Sequence, residues 1–240
     1  MRFLLDKYFI FTLLTVCILP ELTNYKSLLL TIIYFLFLRK TYSLRSSKKV
    51  IQKLFDSGLW LGVLFIFEPF SILFLLLIFT GTYLHQKITI HTILTPIIAF
   101  ITPIFLYFTY FFWVDKTQEF NELFSFKSNF DFQVYEAPKY YWFIISIFIF
   151  SLFSVIFKSI ATIAISNTFR RSWYLLIINL LTVILFLILL PVKNGSELLY
   201  VLFPVSVVIA NGIELIDKKK MKDLVLYIFL VGCIFLSFFL

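Results

Sequence analysis

Apolar residues fall in nine runs along this chain, at about 8–19, 27–38, 58–67, 70–84, 90–114, 140–157, 173–191, 198–213 and 224–240. Charged and small polar residues are concentrated in the short stretches between them. Apolar character on every side of a run, rather than on one stripe, predicts helices that lie in lipid or inside a bundle. A full crossing takes about 20 residues, with a range of roughly 17–25. The shorter runs must therefore tilt, draw in uncharged flanks, or dip in and return. The pattern predicts an all-α, polytopic membrane helix bundle of about nine membrane segments, a single integral membrane domain over residues 1–240.

The topology turns on residues 59–84, which read as one long helix or as two short ones broken at Glu68-Pro69. Proline lacks a backbone donor and clashes with the preceding turn. A carboxylate at mid-membrane costs about 2.5–3.5 kcal/mol even on a lenient insertion scale. Both effects favour a turn over Phe67-Glu68-Pro69-Phe70, with a re-entrant hairpin at 58–84 as the alternative of equal parity. Basic residues give an independent test. With the turn, one side receives 16 of the 21 Lys and Arg, leaving Lys26, Lys116, Lys127, Lys139 and Lys193 opposite. An unbroken helix would divide them 12 to 9. The positive-inside rule selects the turn and places the N-terminus in the cytoplasm. Trp60, Trp113, Trp142 and Trp173 lie near span ends, where amphipathic rings prefer the headgroup layer.

The longest polar segment is an outer loop, residues 115–139. Phe124, Phe126, Phe130, Phe132 and Val134 share one parity there, as an extended strip on the membrane surface would. Its two readings are an interfacial anchor and a groove for a lipid substrate.

Composition supports the membrane assignment. The chain is 61% hydrophobic and 14% charged, with a mean hydropathy of +0.99, against about 45–50% and about 25% in soluble domains. The net charge of +8 follows from loop lysines and arginines beside apolar spans and does not indicate nucleic acid. Cys17 and Cys233 sit inside apolar runs, so no structural disulfide is expected. Tyr8 to Leu19 follows Arg2 and Lys7, yet Pro20-Glu21 makes a poor cleavage site, and the run reads as a retained first span. No cofactor is implied: His85 and His91 are the only histidines, and neither a Gly-rich phosphate loop nor a Cys-x-x-Cys or Gly-x-Ser-x-Gly motif is present.

The candidate site residues are acidic. Under the preferred topology Glu21, Glu68, Asp115 and Glu197 lie at the outer ends of spans. Four carboxylates from four turns could converge on an outward cavity, as a metal site or as a general base on a lipid-linked substrate; the alternative is that each ends a helix in water. Two Thr-Pro-Ile triplets, at Thr95 to Ile97 and Thr102 to Ile104, share a helix face. Gly58 and Gly62 match the small-xxx-small packing pattern, for a contact within the chain or between copies. The basic stretches Arg39 to Lys53 and Lys218 to Lys222 should attract anionic headgroups by about 1 kcal/mol per charge, although setting the topology already explains both.

Several stretches carry a resemblance. They are Pro20-Glu21, Leu38-Arg39-Lys40, Ser43-Leu44-Arg45-Ser46, Phe55-Asp56-Ser57-Gly58-Leu59-Trp60-Leu61-Gly62, the Phe-Glu-Pro-Phe turn, Tyr107-Phe108-Thr109-Tyr110 with Asp115, and Ser196-Glu197-Leu198-Leu199-Tyr200 with Phe203-Pro204. Together they resemble an uncharacterised family of polytopic inner-membrane proteins of Bacteroidota, especially flavobacteria. That family is in turn similar to the multi-pass glycosyltransferases that use polyprenyl-phosphate sugars. The similarity implies a catalytic acidic residue in a first large outer loop. No such loop precedes residue 20 here, Glu21 is the only acidic residue near an equivalent place, and the role transfers to no residue.

Three functions follow as expectations for this protein of the bacterial inner membrane. The first is a glycosyltransferase-like protein acting on lipid-linked sugars in envelope assembly. The second is a non-enzymatic subunit or assembly factor that docks a partner membrane protein through Gly58 and Gly62 or the Thr-Pro face. The third is a transporter, for which Glu68 and Lys158 are the nearest intramembrane charges.

Overall fold

The computed structural model describes residues 2–17, 24–86, 88–122, 126, 128–162, 167–216 and 218–239. Among these residues the regular structure is helical throughout: α1 (Arg2–Cys17), α2 (Tyr25–Ser43), α3 (Val50–Phe67), α4 (Leu75–His85), α5 (Ile90–Trp113), α6 (Thr117–Glu122), α7 (Pro138–Thr162), α8 (Asn167–Leu189), α9 (Leu199–Ile213) and α10 (Lys219–Phe239). Short 3-10 turns occupy Pro69–Phe74, Gln133–Glu136 and Ser196–Leu198. Every apolar run of the sequence carries a helix.

Among the described residues five segments are long and apolar enough to cross a membrane: Val50–Phe67, Ile90–Trp113, Tyr140–Thr162, Asn167–Leu189 and Ser196–Ile213. The expected nine segments are thus supported at five. Described over 16 residues, α1 rises about 24 Å, short of a hydrocarbon core of about 30 Å. The 19 residues of α2 include Lys26, Arg39 and Lys40, and α4 has 11 residues.

Large apolar side chains cover the outer faces of these helices. On α5, Ile98, Phe105, Leu106 and Phe112 are each more than half exposed; on α7, Phe148, Phe153, Phe157 and Ile160 are. Contiguous apolar surface of this extent marks contact with lipid or partners. By contrast, 78% of the spanning window of α9 is buried.

The chain forms two compact units. Unit 1 comprises 1–28, 131–180 and 192–240; unit 2 comprises 29–130 and 181–191. In unit 1, α9 packs against α7 and α1, while α10 packs against α1 and α7. Phe150 of α7 meets Phe229 of α10 edge-on, with centroids 4.8 Å apart. In unit 2 the principal contact is α3 on α5. Around it, Phe74 packs against Tyr34 at 5.0 Å and Phe186 at 5.1 Å, and Phe65 against Phe100 at 5.2 Å.

The expected interruption at Glu68-Pro69 is present, but drawn out. Helix α3 ends at Phe67, and the Glu68 amide still donates to Leu64 O at 2.9 Å. Glu68 is extended, at φ −135° and ψ 91°, because a residue preceding proline is excluded from helical dihedrals. Pro69 then opens a six-residue 3-10 turn, where its missing donor is not needed. That turn and α4 both pack on α3, so the chain folds back rather than continuing along one axis.

The Gly58–Gly62 pattern and the Thr-Pro triplets prove to be two halves of one contact. A Cβ on Gly58 would strike Pro96 O and come within 2.9 Å of Ala99 Cβ; one on Gly62 would strike Phe100 O and lie 2.5 Å from Pro103 Cγ. The prolines sit inside α5. Beside each, a threonine hydroxyl donates one turn back, Thr95 to His91 O at 2.6 Å and Thr102 to Ile98 O at 2.8 Å. Such bonds bend a helix and hold it at a proline. Of the two settings open for the glycine pair, contact within the chain is the one formed, and both glycines are buried by it.

The expected strip over 124–134 lies in residues without regular structure at 126 and 128–132, and enters a 3-10 turn at its end. Residues 117–122 form α6 ahead of it, and the 3-10 turn at 133–136 takes in Val134. Phe126 packs edge-on to Phe70 at 5.5 Å, while Phe130 and Phe132 are exposed. Phe124 and Lys127 lie outside the described residues.

Candidate functional site

The four acidic candidates have different settings. Glu21 lies outside the described residues. Glu68 and Asp115 belong to unit 2 and Glu197 to unit 1. Glu68 is half-buried at the end of α3. Asp115 is exposed beyond α5, in a left-handed backbone conformation at φ 56°. Among the described residues no three His, Cys, Asp or Glu side chains are grouped as metal ligands would be.

Glu197 is 4% exposed and lies in the most elaborate polar cluster of unit 1. The local sequence builds its setting. Asn194 Oδ1 accepts from the Ser196 amide at 3.2 Å and from Ser196 Oγ at 2.7 Å, the side-chain turn that asparagine favours. Gly195 follows at φ +89°, and its bare Cα faces the Tyr140 ring, which a Cβ would meet at 2.6 Å. Both the positive φ and the close ring demand glycine here. The tight turn returns Glu197 so that its Oε2 accepts the Asn194 amide at 3.2 Å. Its Oε1 accepts the Tyr135 hydroxyl, which arrives from the 3-10 turn at 133–136. Ser27 of α2 joins from the other side, sharing a 2.7 Å hydrogen bond with Ser196.

Charge and aromatic surface adjoin this carboxylate. Lys193 is buried, with its Nζ 4.8 Å from the centroid of Phe132, a cation–π geometry. Burial, then the hydrogen bond to Glu197 and that carboxylate's charge, raise the Tyr135 phenol above its usual pKa, so it stays a proton donor. The cluster thus combines a carboxylate, a neutral phenol, an ammonium, two serines and the faces of Phe132, Tyr135 and Tyr140. Hydroxyl and phosphate groups are recognised by such donors and acceptors, and sugar rings lie on such aromatic faces.

Sequence reading singled out Glu197 but not its partners. Asn194-Gly195 is a turn signal in its own right; Tyr135 and Ser27, 62 and 169 or more residues distant from their partners, carry none. A further buried charge, Lys158 of α7, is paired with Glu214 at the end of α9 at 2.9 Å. It also lies 5.3 Å from the Phe169 centroid. The pair anchors α7 to α9 just beyond Gly212, where a Cβ would press within 2.5 Å of Ser154 Cβ.

Among known proteins, the match is to a group described as "Family of unknown function (DUF6427)", over residues 6–240. No curated protein and no solved structure matches the chain.

Proposed function

We propose that this chain, which belongs to the DUF6427 family of unknown function, handles a lipid-linked sugar at the outer face of the bacterial inner membrane during envelope assembly. In this reading the N-terminus is cytoplasmic, the nine apolar helices all lie in or on the membrane, and the Glu197 cluster faces outward. The observation that carries the reading is a nearly solvent-free carboxylate gripped by a tyrosine of the outer loop, with a buried lysine on an adjacent aromatic ring. Ionisable groups buried among apolar helices are costly, which makes each a candidate functional group. Glu197 and Tyr135 would orient sugar hydroxyls, and Lys193 would meet the phosphate of the carrier.

The test uses a deletion strain complemented by Glu197→Gln or Tyr135→Phe, each accumulated in the membrane at the normal level. Both variants should lose most of the cell-surface glycan that the wild-type gene restores. Normal glycan in both would end the proposal.

One observation favours the second reading, a non-enzymatic subunit or assembly factor: both Glu197 oxygens are already bonded within the chain, to Tyr135 and to Asn194. The cluster then acts as a clamp on the outer loop. A crosslinked partner at one-to-one stoichiometry, with surface glycan unchanged in Glu197→Gln cells, would select it. The partner would have to dock elsewhere than on Gly58, Gly62 and the proline face, which cover one another.

A further inference from the structure

We infer that the cleft between the end of α2 and the start of α3 is a binding site for a phosphate-bearing group. A cavity of about 400 Å³ opens there, within unit 2. Arg39, Lys40, Lys48, Lys49 and Lys53 line it, with Asp56 as its one carboxylate. Two of those lysines are engaged in building the walls. Lys40 Nζ pairs with Asp56 at 2.7 Å and joins α2 to α3. Lys53 Nζ reaches back across the junction and donates to Ser43 O at 2.7 Å and to Ser46 O at 2.8 Å. These bonds fix the shape of the cleft.

Arg39, Lys48 and Lys49 are left exposed on its rim, and none has a carboxylate partner among the described residues. No acidic residue in the first turn of α3 offsets them. Three cations with no carboxylate partner line one cavity, and like charges closer than the Debye length of about 8 Å repel with only partial screening. A phosphate removes that repulsion, taking paired hydrogen bonds from the guanidinium and single ones from the ammonium groups.

Setting the topology requires that the loop be basic. It does not require that the cations surround a braced cavity, nor that the only carboxylate there be occupied by Lys40. The same phosphate chemistry is offered by an anionic lipid headgroup and by a soluble phosphate or pyrophosphate. The inference concerns unit 2 and stands whether or not the Glu197 cluster handles a sugar.

The experiment uses the full chain purified in dodecylmaltoside, which contributes no phosphate. Short-chain phosphatidic acid and inorganic pyrophosphate are titrated separately, with binding followed by calorimetry. The variant R39Q/K48Q/K49Q removes the rim charges, and K218Q/K220Q/K222Q removes three charges from the other basic cluster. The wild type and the second variant should bind alike, and the first on the order of 100-fold more weakly at an unchanged melting temperature. Binding of phosphatidic acid alone identifies a headgroup site; binding of pyrophosphate as well identifies a soluble phosphate ligand. The inference is overturned if the wild type binds neither probe, if R39Q/K48Q/K49Q binds as the wild type does, or if both variants lose equally.

Discussion

Glu197 is kept from water with each of its two carboxylate oxygens met by a donor. The donors are the Asn194 amide and the Tyr135 hydroxyl. Removing one partner leaves the other group buried and short of a bond, which costs about 1–3 kcal/mol; Tyr135→Phe should lower stability by about that much. The pH dependence has a definite sign. Tyr135 titrates above its ordinary 10.0 in the folded chain, and an unfolded tyrosine near 10. Beyond pH 10 the folded state therefore holds a proton that the unfolded state has released. Stability present below pH 10 is lost as pH rises further. Thermal unfolding from pH 8 to 11 should show a shallower alkaline decline for Tyr135→Phe than for the wild type; parallel declines would rule out the hydrogen bond as its source. In the sequence Glu197 was visible as an acid at a span end. Tyr135 was one of 13 tyrosines, and only the fold distinguished it.

Helix α3 and helix α5 meet where each lacks bulk or bends. The two glycines of α3 provide the groove, and the prolines of α5, with their threonine back-bonds, provide the ridge. Without a hydrophobic drive between helices in lipid, such backbone approach supplies the van der Waals contact that holds them. Gly62→Val should therefore destabilise the chain by about 1–3 kcal/mol through overpacking against Phe100 and Pro103, although glycine in a helix interior is itself unfavourable by about 0.5–1 kcal/mol. Gly232→Ala on α10 is the control, since nothing lies within 4 Å of its added Cβ, and it should be neutral or slightly stabilising. Equal melting temperatures for Gly62→Val and the wild type, measured in detergent, would refute the groove. Both motifs were legible as motifs. That they were partners was not, because residues 58 and 96 are brought together by the fold-back after Glu68, and spacing says nothing about which helix fills a groove.

At the scale of the whole molecule, the exposed faces of α5 and α7 are made of phenylalanine, isoleucine and leucine, a surface that water would not tolerate and lipid would. The orientation proposed above follows from the distribution of lysine and arginine. Single cysteines at Lys49 and at Asp115 in a chain cleared of Cys17 and Cys233 would check it. A membrane-impermeant maleimide should label position 115 in intact cells, and position 49 only after permeabilisation. Labelling of position 49 from outside would invert the map and put the Glu197 cluster on the inner side.

By itself the sequence determined the helical class, the positions of the apolar helices and the interruption at Glu68-Pro69. These rest on local causes: side-chain polarity, residue by residue, and the fixed dihedral of proline. The tertiary structure decided which glycines meet which prolines, that the 115–139 loop holds α6 and a 3-10 turn, and that Glu197 is gripped by Tyr135 while the α2–α3 cations surround a cleft. Those outcomes depend on side chains far apart in the chain reaching van der Waals or hydrogen-bonding distance, and uniformly apolar helices carry no stripe to say which face will do so.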